Sequence, residues 1–142
     1  MRRIGRARLD VAALTAAVAS AKHGAATTFM GVVRATHAGR RVKGIDYDGF
    51  APLAERELAR IIEEACRIWP VKVEARHRIG RLRVGEASVV VAAGSGHRPE
   101  AFTACRWTID QIKLRLPIWK KEIYVHGQGR WLPGCALHGR KK

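Results

Sequence analysis

The spacing of apolar positions changes along the chain, and each change marks an element. Leu14 and Val18 recur four residues apart between Asp10 and Ser20. That spacing predicts a short helix with Asp10 as its N-cap. His23-Gly24 ends it. Thr27, Thr28, Phe29, Val32 and Val33 are β-formers and predict a strand from Ala26 to Arg34. Ala38 to Arg41 is a turn, and Val42 to Phe50, with Val42, Ile45 and Tyr47 apolar, is a second strand. A hairpin is the expected link. Pro52 opens a helix to about Ile68, with Leu53, Leu58, Ile61, Ile62 and Ala65 as its buried stripe. Glu57, Arg60, Glu63, Glu64 and Arg67 form the wet face. After Trp69-Pro70, residues 71 to 79 alternate strictly, as in a strand with one face in a core. Gly80 and Gly85 bracket a brief extended piece. The apolar run from Ala87 to Ala93 suits a central strand. Pro99 sits in the first turn of a helix running to about Leu114, with Phe102, Cys105, Ile109 and Ile112 on one face. Pro117 stops it. Ile118 to Val125 is the last clear strand, and Trp131-Leu132 adds a short extended piece. Strands and helices mix without regular βαβ alternation, so the fold class is α+β with a mixed or antiparallel sheet. There is no internal repeat and no linker. One domain is expected over residues 1–142, with its core at about 9–133 and a basic tail over 134–142.

Composition narrows the classes. A chain of 142 residues suits one domain, and 47% hydrophobic residues exclude a disordered one. No apolar run is long enough to span a bilayer. The basic start, Arg2 to Arg8, precedes no hydrophobic signal core, so a cytoplasmic location is expected. Cys66, Cys105 and Cys135 lie far apart and form no CxxC or Cys/His pair with zinc spacing. They read as free thiols, with Cys66 and Cys105 on buried helix faces, and no metal site is expected. Lys and Arg outnumber Asp and Glu by 27 to 12, giving a net charge of +15. Such a chain attracts anions: nucleic acid, an acidic protein or a phosphorylated small molecule. No zinc finger, RNP-like strand or heptad zipper accompanies the charge. Part of it sits at the ends, in Arg2 to Arg8 and Arg140 to Lys142, where solvation alone accounts for it.

Four stretches could carry chemistry. Gly94-Ser95-Gly96-His97-Arg98-Pro99 is a glycine-bearing loop between a strand and a helix. Free N–H groups at a helix start attract phosphate, and His97 and Arg98 add donors. The GK[ST] ending of a Walker A loop is absent. The residues fit an anion loop and an ordinary charged turn equally well. The second stretch, Lys113 to Glu122, places Lys113 at a helix end and Lys120 at a strand start, with Pro117 between them. The turn can bring both ammonium groups to one side of the sheet. Crowded cations favour release of a proton from one of them, which opens base or nucleophile chemistry. Read alone, the stretch fits better a helix C-terminus suited to cations plus an exposed strand. The third is Phe29 to Arg34, followed by His37: Arg34 at a strand end could clamp an anion bidentately, although read alone it fits better a solvated Arg at a strand end. The fourth, His77 to Glu86, reads as structural, with His77 a core or edge residue and Glu86 paired to a nearby Arg. Asp46 and Asp48 share a strand face and are expected in salt bridges.

Together these stretches resemble the large, catalytic subunit of molybdopterin synthase. The ordered set is Phe29-x-Gly31-x-Val33-Arg34, then His77-Arg78-x-Gly80-x-Leu82-x-x-Gly85-Glu86, then His97-Arg98-x-x-Ala101-Phe102. Asp110-x-x-Lys113-x-x-x-Pro117-Ile118-Trp119-Lys120-Lys121-Glu122 completes it. The resemblance covers about Ala25 to Trp131. It implies an α+β fold with an α/β-hammerhead part, assembled as a homodimer. A small ubiquitin-like sulfur-carrier subunit would bind at each end, giving a heterotetramer. The carrier's thiocarboxylated Gly-Gly tail would deliver two sulfurs to cyclic pyranopterin monophosphate, making the molybdopterin dithiolene. Lys113 and Lys120 match the catalytic lysines. Phe29, Arg34, His97, Arg98, Lys121 and Glu122 match substrate- or pocket-lining positions. Arg115 is left as solvated charge. No cofactor and no membrane are implied. A basic nucleic-acid-binding module is the alternative reading. Leu53 departs from the family, where Met is common, and the tail from Gly134 to Lys142 matches no family feature.

Overall fold

The computed structural model describes residues 2–127, 129, 131 and 132. Its elements run β1 (Ile4–Gly5), α1 (Val11–Ala17), β2 (Ala25–Val32), β3 (Thr36–His37), β4 (Arg40–Gly49) and α2 (Ala51–Ile68). Then come β5 (Val71–Arg78), β6 (Gly80–Arg83), β7 (Ala87–Ser95), α3 (Arg98–Arg115), β8 (Ile118–Tyr124) and β9 (Trp131–Leu132). The class is α+β, as the mixed order of elements predicts. One sheet has the order β1-β5-β7-β2, with β1 parallel to β5 and the other pairs antiparallel. The second runs β3-β4-β8-β9, and β6 also pairs with β4.

The near-continuous apolar run of β7 follows from its place. Helices α2 and α3 cover one face of the first sheet, where Leu58, Ile61 and Ala65 meet Val73, Val89, Val91, Ile109 and Ile112. Helix α1 covers the other face, setting Leu14 and Val18 against Val90 and Ala92. Both faces of β7 are therefore dry, and alternation gives way to a run. A Cβ on Gly94 would stand 2.2 Å from the Val18 carbonyl oxygen, so only glycine lets α1's end sit this close. The Asp10 carboxylate caps α1 by accepting the Ala13 N–H at 3.0 Å. Between the strands of the second sheet lies a smaller core of Val33, Val42, Ile45 and Leu82, edged by Tyr47 and Tyr124.

Four expectations need correction. Strands β2 and β4 form no hairpin: β2 pairs with β7, and the hairpin is the short one of β3 with β4. Leu53 is 38% exposed and Phe102 63% exposed, so neither belongs to its helix's buried stripe. Ala54 and Ala101 take those places, and both are fully buried. Cys66 is exposed, whereas Cys105 is buried. Cys135 and the tail from Gly134 to Lys142 lie outside the described residues. No helix among the described residues is long and apolar enough to cross a membrane.

A candidate active site between helix α3 and strand β8

Lys113 lies in the last turn of α3, and Lys120 is the third residue of β8. The turn through Leu116 and Pro117 joins them, with Leu116 buried and the Ile118 N–H donating to the Leu116 carbonyl at 2.8 Å. Lys120 stands opposite Tyr47 on β4, so the two side chains share a sheet face. The Tyr47 ring meets His77 edge-on, with centroids 5.3 Å apart. His77 is buried, and its Nδ1 lies 2.9 Å from the Arg78 carbonyl oxygen. Burial drives the imidazole's pKa down from 6.5 to about 4, and the positive charge of Lys113 adds to the effect. The charge of Lys113 acts on the His77 imidazole and Lys120 flanks Tyr47, so both lysines border one aromatic pair.

The same face of β8 continues from Lys120 to Glu122. Glu122 is only 4% exposed, yet it is an acid amid much positive charge. The Tyr124 hydroxyl donates to it at 2.7 Å, and His37 Nδ1 lies 3.6 Å away. Arg34 Nη2 stands 3.3 Å from that same His37 nitrogen. Arg34 is exposed just beyond the end of β2, beside the bond from Gly85 N–H to the Val33 carbonyl. Arg34, His37, Glu122 and Lys120 therefore form a run of polar groups leading to the lysine pair.

Other expected site residues lie elsewhere. Lys121 alternates to the opposite face of β8 and lines a cleft of about 440 Å³ with Asp46 and Arg81, which pair with each other; Glu122 and Tyr124 border the same cleft. His97 and Arg98 open α3, and both are exposed. From Arg98 to Lys113 the helix rises about 23 Å, at ~1.5 Å per residue. The antiparallel pairing of β2 with β7 gives the same result: Ala25 pairs with Ser95, next to His97, while Val32 and Arg34 end at Ala87. Within one chain, Arg34, Lys113, Lys120 and Glu122 gather at one end of the first sheet. His97 and Arg98 sit at the other, and Phe29 is midway along β2, exposed on the sheet's edge.

Sequence alone gives Tyr47 and Tyr124 no site role, places His37 only as the residue following the Arg34 stretch, and makes His77 structural. The two tyrosines read as ordinary strand residues, and only the pairing of β4 with β8 brings Tyr47 to Lys120. Arg115 was misread as solvated charge. Its guanidinium donates from Nε to Glu57 at 2.7 Å and from Nη1 and Nη2 to Glu64 at 3.0 and 2.8 Å. It ties the end of α3 to α2 and so fixes the base from which Lys113 projects. These bonds hold the Glu64 carboxyl below its ordinary range and raise the Arg115 pKa. Asp46 and Glu86 make the ion pairs expected of them, with Arg81 and Arg78.

Comparison with known proteins shows the family. The family model described as MoaE protein matches residues 4–115. The molybdopterin synthase catalytic subunit of Synechococcus elongatus is 41% identical over 118 residues, covering 82% of this chain and 72% of that protein. That of Oryza sativa subsp. indica is 42% identical over 125 residues, 87% of this chain, of which the match spans 65% of the rice protein. The crystal structure of molybdopterin synthase from Staphylococcus aureus superposes with a TM-score of 0.87 at 32% identity, covering 92% of this chain and 96% of that one. Nothing in these comparisons supports the nucleic-acid-binding alternative. The chain belongs to the MoaE family, that of the molybdopterin synthase catalytic subunit.

Proposed function

We propose that this chain is the sulfur-transferring subunit of a molybdopterin synthase. It receives sulfur from a small ubiquitin-like carrier ending in a Gly-Gly thiocarboxylate. It places two sulfurs on cyclic pyranopterin monophosphate to form the dithiolene of molybdopterin. The observation that carries this reading is the convergence of Lys113 and Lys120 on the Tyr47–His77 pair, with Arg34 and Glu122 alongside. A thiocarboxylate is already a good nucleophile, so the chemistry needs no protein cysteine. Sulfur transfer passes through charged tetrahedral species, which the two ammonium groups stabilise. Lys113 and Lys120 also move protons as the pterin ring opens. Arg34 holds the cyclic phosphate. Glu122 orients His37 and offsets the charge of the lysines. Lys121 lines the pocket from the cleft that Glu122 and Tyr124 also border.

His97, Arg98 and Phe29 enter the same site from a second copy of the chain. Among the described residues nothing pairs with the outer edge of β2, and Phe29, Met30 and Val32 are exposed on it. A two-fold axis that sets two such edges antiparallel would carry one copy's His97 and Arg98 to the other copy's Arg34. That arrangement fits a homodimer with a carrier at each end. We place the activity in the cytoplasm, in keeping with the free thiols of Cys66 and Cys105.

Reconstitution with thiocarboxylated carrier and cyclic pyranopterin monophosphate tests this. Lys113→Ala and Lys120→Ala should each lose most of the activity while remaining folded. Full activity in both would overturn their assignment. Mixing a Lys113→Ala chain with an Arg98→Ala chain should restore part of the activity if the site is shared between copies. No recovery would count against the shared site.

A further inference from the structure

A second cavity, of about 560 Å³, lies beside helix α1, across the first sheet from α2 and α3. Five arginines line it: Arg2, Arg3, Arg6, Arg8 and Arg76. Four of them belong to the N-terminal segment, where Arg2, Arg6 and Arg8 are exposed to solvent. The segment is pinned. Ile4 is buried and pairs in parallel with His77. The Glu55 carboxylate accepts the N–H groups of Arg3 and Ile4 at 2.9 and 2.8 Å. The Ile79 N–H donates to the Gly5 carbonyl at 2.8 Å, and Arg78 Nε donates to the Arg6 carbonyl at 3.0 Å. The backbone from Arg3 to Arg6 is thus held in place beside a concavity.

Their charge is not balanced locally. Arg3 and Arg76 share one carboxylate, Glu74, at 3.5 and 2.9 Å. Asp10, the acid on the cavity wall, caps α1 and keeps its charge, and Glu86 acts on Arg8 at longer range, so the five arginines still outnumber the acids near them. Among the described residues, Arg2, Arg6 and Arg8 have no carboxylate within ion-pair distance. Ordering like charges side by side is unfavourable, and a bound anion removes that cost. The remaining wall is apolar, built by Leu9, Ala13, Leu14 and Ala17. A volume of this size is typical of small-molecule sites, which run from roughly 300 to 1,000 Å³.

We infer that this cavity binds a small phosphorylated ligand of nucleotide size. Its phosphates are held by Arg2, Arg6 and Arg8, and its apolar body lies on Ala13, Leu14 and Ala17. The site is separate from the lysine pair; His77 borders both, from the strand they share. Isothermal titration of the full chain with ADP at low salt tests this, with pyrophosphate and adenosine as controls. ADP should bind, and more tightly than pyrophosphate or adenosine. An Arg6→Ala/Arg8→Ala double variant, whose changes fall on exposed side chains, should bind ADP at least tenfold more weakly. A Lys113→Ala/Lys120→Ala variant should bind it within twofold of the unaltered chain. Absence of binding, equal binding by the arginine variant, or loss in the lysine variant would each overturn the proposal. Pyrophosphate binding as tightly as ADP would remove the role of the apolar wall.

Discussion

Lowering the pH should weaken this fold through His77, at pH values where ordinary carboxylates are still ionised. The imidazole is buried, with its pKa held at about 4 against an ordinary 6.5. The unfolded chain therefore binds a proton at this position more readily than the folded one. Stability is undiminished above pH 6.5, falls as the pH drops from 6.5 towards 4, and levels off below that. Between pH 7 and pH 4.5 the loss through this one residue is about 2 kcal/mol, from the two pKa values. His77→Phe keeps an aromatic edge for Tyr47 and removes the titration. Urea unfolding followed by tryptophan fluorescence at both pH values gives the comparison. The variant should lose about 2 kcal/mol less than the unaltered chain over that interval, whatever the static cost of the substitution. Glu64 and Glu86, whose carboxyls are held low by Arg115 and by the Arg83 N–H, lose their contribution at lower pH and do so in both proteins. Identical pH dependence in the two proteins would refute the argument, as would an imidazole that titrates near 6.5 in the folded chain by NMR.

Three further outcomes follow from the packing. Arg115→Met removes the bonds to Glu57 and Glu64 and should cost about 1–3 kcal/mol in chemical denaturation, while Arg115→Lys keeps the charge but not the fork and should recover only part of it. Leu58→Ala, at a fully buried position of α2, should cost about 2–5 kcal/mol, whereas Phe102→Ser should change stability by less than about 0.5 kcal/mol. Equal costs would mean that Phe102 is covered in solution. Glu55→Ala leaves the Arg3 and Ile4 N–H groups without their acceptor, so amide exchange at Ile4 should speed up while the core of β7 stays protected.

The helices were legible because their signals are local. Asp10, Pro52 and Pro99 mark three helix starts, and a stripe at helical spacing marks each buried face. The stripes were misplaced where they rest on small residues. Ala54 and Ala101 are fully buried while their larger neighbours Leu53 and Phe102 point out. On α3, Ala101, Ala104 and Thr108 let the helix approach β2 closely, to where the Thr27 hydroxyl donates to the Ala101 carbonyl. Reading size as burial hides such a face. Strand pairing was the other loss. Strand β2 passes over its sequence neighbour to join β7, a partner some sixty positions away that no local turn specifies. The site shared this fate. Lys113, Lys120, Arg34 and Glu122 could be named from motif order, but their support from Tyr47, His77 and His37 exists only once β4 lies between β6 and β8.

The central claim is that this chain carries out the sulfur transfer. The most direct measurement is molybdopterin formed from cyclic pyranopterin monophosphate when the purified chain meets a thiocarboxylated small carrier. Product should form in proportion to thiocarboxylate consumed, two sulfurs for each dithiolene, with little product from Lys113→Ala or Lys120→Ala. A folded, carrier-bound chain that yields no product, or variants that yield as much as the unaltered chain, would contradict it.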